Sequence, residues 1–405
     1  MAITRTRWQE WAWRTTIAVL ILLGILVRLR QFLVNRALWL DEAMLALNLV
    51  GRNIGELVKP LDYDQGAPLG FLMVEKLVIG LLGQSEYAFR LIPMLAACAA
   101  MVMLYFWVKK LTGPLGVVFT LGVFVVSYSI VYYATDAKQY SSDVTVALAL
   151  YLLAERFFDR DAGLREFVLL GLAGAASLWF SHPAFFTMGG IGLALLIKYF
   201  RRNDRQRLFF TLGVGLLWGL NFALLYLVQF RGLAANSALT GYWADYFMPM
   251  PPWSDWTWLP GMLTGLFINP MGLFEPRIVP VVLFIVGIVS LFRRHWQWSV
   301  TFVVSILLTL AASAIQKYPF GARMILFLMP GFVLGIAEGI GLYLERAWGE
   351  YLTLMITASF LPWEVLEVMR RQTAPRVGLL VVNALVLLYL LKVVIDRQRS
   401  PKTQS

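Results

Sequence analysis

The sequence predicts an all-α polytopic membrane protein: a transmembrane helix bundle of about 10–12 spans with short juxtamembrane helices in its first external loop. Three observations carry this. Of 405 residues, 59% are hydrophobic and only 15% charged, and the mean hydropathy is +0.69. Apolar runs of about 17–25 residues recur along the chain, the length a helix needs to cross roughly 30 Å of hydrocarbon. The runs are continuous rather than alternating, which excludes a membrane β-barrel.

The elements follow in order. Residues 15–34 form the first span, with Arg5, Arg7 and Arg14 ahead of it. A basic flank before an apolar run, with no small-residue cleavage site, reads as an uncleaved signal anchor whose N-terminus is cytoplasmic. Residues 35–90 are mixed in polarity and form the first large external loop. Within it, 41–50 and 68–82 read as short helices, the second apolar enough to lie in the membrane interface. Spans follow at 90–108, 115–134, 139–157, 166–181, 183–199 and 208–229. Lys109 and Lys110, then Arg156, Arg160 and Arg165, then the run "KYFRRNDRQR" at 198–207 fall on the inner side. The junctions 134–139 and 181–183 then fall outside.

Residues 230–277 form a second large external loop rich in Trp, Tyr and Pro. Further spans are expected at 278–293, 298–315 and 322–344, with "RRHW" inside and "QKYPFGAR" outside. Beyond them, 377–395 is long enough to cross, while 351–363 is short; it is expected to cross, which turns Arg370 and Arg371 outward, and if it does not, the tail "DRQRSPKTQS" lies outside. The chain therefore divides into a core of 1–345 and a C-terminal membrane segment of 346–405. No internal repeat is visible.

Composition also narrows function. The net charge of +11 reflects positive-inside bias and anionic headgroups rather than nucleic acid. A single cysteine, Cys98, allows no intrachain disulfide. The two histidines, His182 and His295, are predicted on opposite sides, which argues against a His-based metal site; a divalent ion held by carboxylates stays open. Glycine clusters such as "GGIG" at 189–192 lie inside apolar runs, as packing sites rather than phosphate loops. There is no soluble nucleotide-binding domain.

Polar residues collect on the outer side. Asp41 and Glu42 begin the helix at 41–50, which Gly51 would end. Asp is a favoured N-cap, and acids in a first turn complement the helix dipole. The same place suits a general base for a hydroxyl nucleophile. Neighbours on a helix point about 100° apart, so only one of the two faces a given cavity. Arg28, Arg30 and Arg36 lie near the outer end of the first span, and Lys138, Lys317 and Arg323 at the outer ends of three others. Cations at such depth snorkel to headgroups or form an anion site, for which a lipid phosphate is the natural ligand.

The stretch "YYATDAKQYSSD" at 132–143 gathers Tyr133, Asp136, Lys138, Tyr140 and Asp143. Asp136 and Asp143 share a face if the helix is continuous, and Asp136 beside Lys138 also fits a plain ion pair. In the second loop, Trp253, Trp256 and Trp258 are interfacial anchors or flat surfaces for a sugar or polyprenyl chain.

The ordered set "WLDEA", "YDQGAPLGFLMVEKL", "SEYAFRLIPML", "AKQYSSD" and "KYPFGARMILFLMP" resembles glycosyltransferases of the GT-C superfamily. The likeness is to the branch of protein O-mannosyltransferases and the lipid A aminoarabinose transferase. It covers most of 15–345; residues 346–405 match nothing nameable. The resemblance implies inverting transfer from a polyprenyl-phosphate-linked sugar to a hydroxyl acceptor (lipid, glycan or protein) on the external face of the plasma membrane. It carries the catalytic aspartate onto Asp41, with Glu42 as a second acid for acceptor or structural contacts. Lys138, Tyr140 and Arg323, joined by Lys317 and Arg28, become candidates for the donor phosphate. Asp64, Gln65, Asp136, Tyr133, Trp253 and Trp256 become candidates to line the substrate site. The rival reading is a transporter or flippase of lipid-linked sugars, which predicts inverted repeats; a non-catalytic membrane scaffold is the third.

Overall fold

In a computed structural model, residues 7–234, 236–272 and 278–345 are described. The chain divides into two compact units, Met1–Glu338 and Gly339–Ser405. The expected segments 351–363 and 377–395, and all of 346–405, lie outside the described residues.

The described chain is helical. Helix α1 (Arg7–Leu33) is followed by the short α2 (Leu40–Gly51) and α3 (Leu69–Leu82), close to the two juxtamembrane helices expected in the first loop. Then come α4 (Glu86–Val108), α5 (Pro114–Val126), α6 (Tyr128–Tyr132), α7 (Tyr140–Asp159), α8 (Leu164–Phe180), α9 (Ala184–Arg201) and α10 (Arg205–Leu225). The second loop carries a π-helical turn (Tyr226–Phe230) and the short helices α11 (Arg231–Ala234), α12 (Ser237–Tyr242) and α13 (Trp258–Leu266). Helices α14 (Ile278–Arg294), α15 (Trp296–Ala314) and α16 (Met329–Glu345) complete the described part. Among the described residues, six helices are long and apolar enough to cross a membrane, or seven if one bent pair counts as a span. The protein is an integral, multi-pass membrane protein.

Local chemistry sets the helix starts. The Ser85 hydroxyl accepts the Ala88 N–H (3.2 Å) to cap α4, and the Asp204 carboxylate accepts the Arg207 N–H (3.0 Å) to cap α10. Pro114 opens α5, where its missing N–H costs nothing.

The expected continuous span at 115–134 is broken. Helix α5 ends at Val126 and the chain turns by 62° into Tyr128–Thr135. Ser127 makes the break: its hydroxyl stands at the N-cap of α6 and donates to the Pro270 carbonyl at 3.1 Å. The span expected at 322–344 likewise opens with 3-10 turns (Ala322–Leu328) before α16 begins.

Tight packing joins α9 to α15. A methyl group on Gly190 would sit 2.3 Å from the Thr301 carbonyl, and the Ser305 hydroxyl donates to Phe186 O at 3.1 Å across the same contact. Small residues let backbones approach this closely in a membrane bundle. Trp107, Tyr151, Trp298 and Phe302 fill the neighbouring core, with ring centroids 4.9 Å apart for Trp107 and Tyr151.

One end of the bundle is basic. The buried Lys198 ammonium donates to the carbonyls of Phe157, Phe158 and Arg160, and Arg207 Nε to Ala162 O at 2.8 Å. These bonds gather the C-terminal ends of α7 and α9 with the start of α10. The 20 residues of α7 place its N-terminus about 30 Å away, at the opposite end. Gly190→Ala should lower the thermal unfolding midpoint in detergent, by about 1–3 kcal/mol of overpacking. An unchanged midpoint would mean that α9 and α15 part freely.

Candidate active site

The site begins at the first turn of α2. Trp39, in extended conformation, is the N-cap, so Asp41 is the second helical residue and not the expected cap. The capping bond comes from Glu42, which reaches back to accept the Trp39 N–H at 2.7 Å. Asp41 and Glu42 then point to different partners, as successive helix positions must.

Glu42 is buried. Arg90 Nη2 donates to both its oxygens at 3.2 Å, the Ala137 N–H donates at 2.8 Å, and Arg36 lies 3.7 Å away. Arg90 also holds the carbonyls of Arg36 and Ala37. Glu42 therefore ties the first loop, α4 and the segment before α7 together. Of the two roles implied for it, this geometry suits the structural one, because protein donors occupy both oxygens.

Asp41 is partly open, with 21% of its side chain exposed, and its Oδ2 lies 2.9 Å from Arg323 Nη2. The approach is an ion pair without hydrogen-bond alignment. The Arg323 guanidinium sits 5.3 Å from the Tyr140 ring centre and 5.5 Å from that of Trp243. Lys138 is only 4% exposed, and its ammonium donates to the Gln65 side-chain carbonyl. Burial draws Lys138 down to about 8, with Asp41 pulling the other way. Asp136 pairs with Arg36, whose guanidinium lies over Tyr132 at 4.0 Å. Burial, then the Glu42 carboxylate, push Asp136 up to about 7 against the pull of Arg36.

The remaining candidates spread out. Exposed Asp64, in left-handed conformation (φ 53°), accepts Asn236 Nδ2 at 2.7 Å. Tyr133 packs edge-on against Tyr140, 5.7 Å between centroids. Trp253 and Trp256 are 64% and 78% exposed. Lys317 is exposed beyond the end of α15. Arg28 is buried and donates to Gly24 O (2.9 Å) and Phe124 O (3.1 Å), tying α1 to α5. Asp136 and Asp143 also part company, because α7 starts only at Tyr140; Asp136 turns to Arg36 while Asp143 enters the bundle beside Ser181.

Four contributors escaped the sequence reading: Arg90, Tyr132, Trp243 and Gln229. Arg90 carried a usable signal, a cation in the first turns of an apolar span. Gln229, in the π-helical turn, donates to Ala67 O at 2.5 Å and so joins the second loop to the first, as Asn236 does at Asp64.

Four cations (Arg36, Arg90, Lys138 and Arg323) thus face three carboxylates (Asp41, Glu42 and Asp136), one positive charge in excess when all seven are ionised. Among the described residues, no three of His, Cys, Asp and Glu gather as a metal-holding group. Arg90→Ala should strand Glu42 and destabilise the fold by about 3–5 kcal/mol, read as a lower unfolding midpoint. Glu42→Gln combined with Arg90→Met should cost less than the sum of the two single changes; full additivity would mean that the pair is not coupled.

Comparison with known proteins places the fold. A family described as "Predicted membrane protein (DUF2127)" matches residues 281–394. Uncharacterized proteins of Mycobacterium tuberculosis and Mycobacterium bovis are 41% identical over 59 residues, covering 15% of this chain and 23% of theirs. The chain thus matches under a quarter of those relatives' length. ArnT from Cupriavidus metallidurans bound to undecaprenyl phosphate aligns over 95% of this chain and 72% of its own, at 14% identity and a TM-score of 0.51. The archaeal oligosaccharyltransferase AglB from Archaeoglobus fulgidus, in complex with an inhibitory peptide and a dolichol-phosphate, aligns over 98% of this chain and 57% of its own, at 10% identity and a TM-score of 0.50. Identities this low speak to architecture alone: this chain has the fold shared by ArnT and AglB, both of the GT-C superfamily.

Proposed function

We propose that the protein is a membrane glycosyltransferase that moves a sugar from a polyprenyl-phosphate donor to a hydroxyl acceptor, with Asp41 as general base. The observation that carries this reading is the partly exposed Asp41 carboxylate, 2.9 Å from Arg323 and in the field of buried Lys138. A donor of this class is a phosphodiester with one negative charge, which matches the single positive excess of the cluster. The structural likeness to ArnT bound to undecaprenyl phosphate supports the same ligand class.

In the proposed reaction, the donor phosphate takes Arg323 and Lys138 as its partners. Arg323 leaves Asp41, whose free carboxylate then accepts the proton of the acceptor hydroxyl. The hydroxyl oxygen attacks the anomeric carbon opposite the phosphate. The carbon–oxygen bond to phosphate breaks as the new bond forms, and the configuration inverts. The leaving lipid phosphate needs no acid, only positive charge where negative charge grows, which Arg323 and Lys138 supply in a low-dielectric site. The acceptor is a lipid, a glycan or a protein hydroxyl.

The site lies at the N-terminal end of α7, remote from the basic end where Lys198, Arg160 and Arg207 meet. The positive-inside rule puts that basic end in the cytoplasm, so transfer takes place on the external face. The donor reaches the site without leaving the bilayer.

Asp41→Asn should lower transfer about 10²–10⁴-fold while the folded protein still binds undecaprenyl phosphate. Unchanged turnover in reconstituted membranes would remove Asp41 as the base. A second expectation concerns pH. Lys138 is cationic below its pKa of about 8 and neutral above it. Affinity for a sugar-linked phosphodiester, whose own charge is constant there, should therefore fall as pH rises past about 8, by up to about tenfold per unit. Lys138→Arg should move that fall to higher pH; a pH-independent affinity in the wild type would take Lys138 out of the phosphate site.

A further inference from the structure

The first loop reaches Lys138 through a turn of unusual shape. Tyr63 and Asp64 are consecutive, and both are left-handed, with φ of 60° and 53°. A residue with a Cβ seldom adopts this conformation unless its surroundings hold it there. Here they hold it from both sides. Asn48 of α2 accepts the Asp62 N–H at 2.8 Å and donates to the Asp62 carbonyl at 3.1 Å. Gln65 Nε2 donates to the Tyr63 carbonyl at 3.0 Å, and Gln65 Oε1 accepts from the Lys138 ammonium. From the second loop, Asn236 Nδ2 donates to Asp64 Oδ1 at 2.7 Å.

The same side chain works in the other direction too. Asn236 Oδ1 accepts the Leu239 N–H at 3.0 Å and so caps α12. That helix ends at Trp243, whose ring centre lies 5.5 Å from the Arg323 guanidinium. Three residues on, the Tyr246 carbonyl accepts the Phe320 N–H at 2.8 Å and the Ser313 hydroxyl at 3.2 Å. A methyl group on Gly321, two residues before Arg323, would collide with the Tyr246 ring. The far end of α12 is thus packed against the segment that carries Arg323. Its six residues span about 9 Å. Helix α12 is a short strut, with one end on the turn that presents Gln65 to Lys138 and the other on Arg323.

Glu42 pins the backbone next to Lys138, while Gln65 holds its ammonium. Gln65 is neutral, so it orients Lys138 without cancelling the charge. We propose that Asn236 is a positioning residue of the phosphate site: through Asp64 and Gln65 it places Lys138, through α12 and Trp243 it places Arg323, and so it fixes the spacing of the two cations. The proposal rests on the glycosyl-transfer reading and adds to it a residue that touches no substrate. The amide is what the position demands. An Asp would cap α12 as well, but it has no donor for Asp64 and would repel it.

The test exchanges the two partners. Asn236→Asp keeps the cap and turns the bond to Asp64 into a repulsion. Adding Asp64→Asn restores one amide and one carboxylate in reversed order. The readout is the ratio of affinities for undecaprenyl phosphate and undecaprenol in nanodiscs, since the alcohol has the same chain without the charge. Damage to the lipid path lowers both affinities and leaves the ratio alone; a misplaced cation lowers the ratio. Wild-type protein should prefer the phosphate at least about tenfold. Asn236→Asp should cut that preference at least about fivefold, and the double change should return it to within about twofold of wild type. Asn236→Ala, which removes bond and cap together, should lose the preference and should not regain it when Asp64→Asn is added. Should Asn236→Asp fail to fold, Asn236→Ser, which caps without reaching Asp64, takes its place with the same expected loss. A wild-type preference in the single variant, or no recovery in the double one, overturns the positioning role and leaves the phosphate site standing. Recovery of Asn236→Ala by Asp64→Asn overturns the part assigned to α12. If wild-type protein binds phosphate and alcohol alike, the phosphate site itself falls, and the positioning role with it.

Discussion

A buried carboxylate at the mouth of an apolar bundle is the interaction on which the site depends. Glu42 lies out of water, where an unpaired charge costs several kcal/mol, and Arg90 with Arg36 compensates it. The remaining bonds of Glu42 fix two other pieces of the protein. Its acceptance of the Trp39 N–H starts α2 and so aims Asp41, one residue earlier, towards Arg323. Its acceptance of the Ala137 N–H pins the segment that carries Lys138. The proposed base and the proposed phosphate ligand are thus positioned by one side chain that touches neither.

The electrostatic design follows from that anchor. Cations and carboxylates nearly cancel, so the cluster is tolerable at the edge of the membrane, yet one positive charge is left over. Without a ligand, Arg323 spends itself on Asp41; with a phosphate, it has a better partner. In the proposed reaction, one charge exchange binds the donor and releases the base. Aromatic neighbours matter for the same reason. Tyr140 and Trp243 flank Arg323 and hold a planar cation in place without neutralising it.

Much of the architecture was legible in the sequence, since crossing a bilayer demands apolar length and little else. The helix limits at 40–51, 69–82, 140–159 and 184–201 lie within a few residues of those expected. Asp41, Lys138 and Arg323 are legible as charges at the ends of expected spans, and the structure gathers them. What escaped was set by partners far away in the chain. The bend after Val126 depends on Ser127 meeting Pro270, 143 residues later. Arg28 looks like a snorkelling cation until α5 supplies the Phe124 carbonyl. Glu42 and Arg90 are 48 residues apart, and no local pattern says that they pair. Local rules also misled at one point: Asp is the better N-cap by propensity, but the back-bond from Glu42 moved the start of α2 to Trp39.

The central claim, that one phosphate and Asp41 compete for Arg323, is tested most directly by an electron cryo-microscopy structure of the protein with undecaprenyl phosphate in nanodiscs. The expected map shows the phosphate within hydrogen-bond distance of Arg323 and Lys138, with the Asp41 carboxylate released and facing open space. A phosphate bound elsewhere, or one bound while the 2.9 Å pair of Asp41 and Arg323 stays intact, would contradict it.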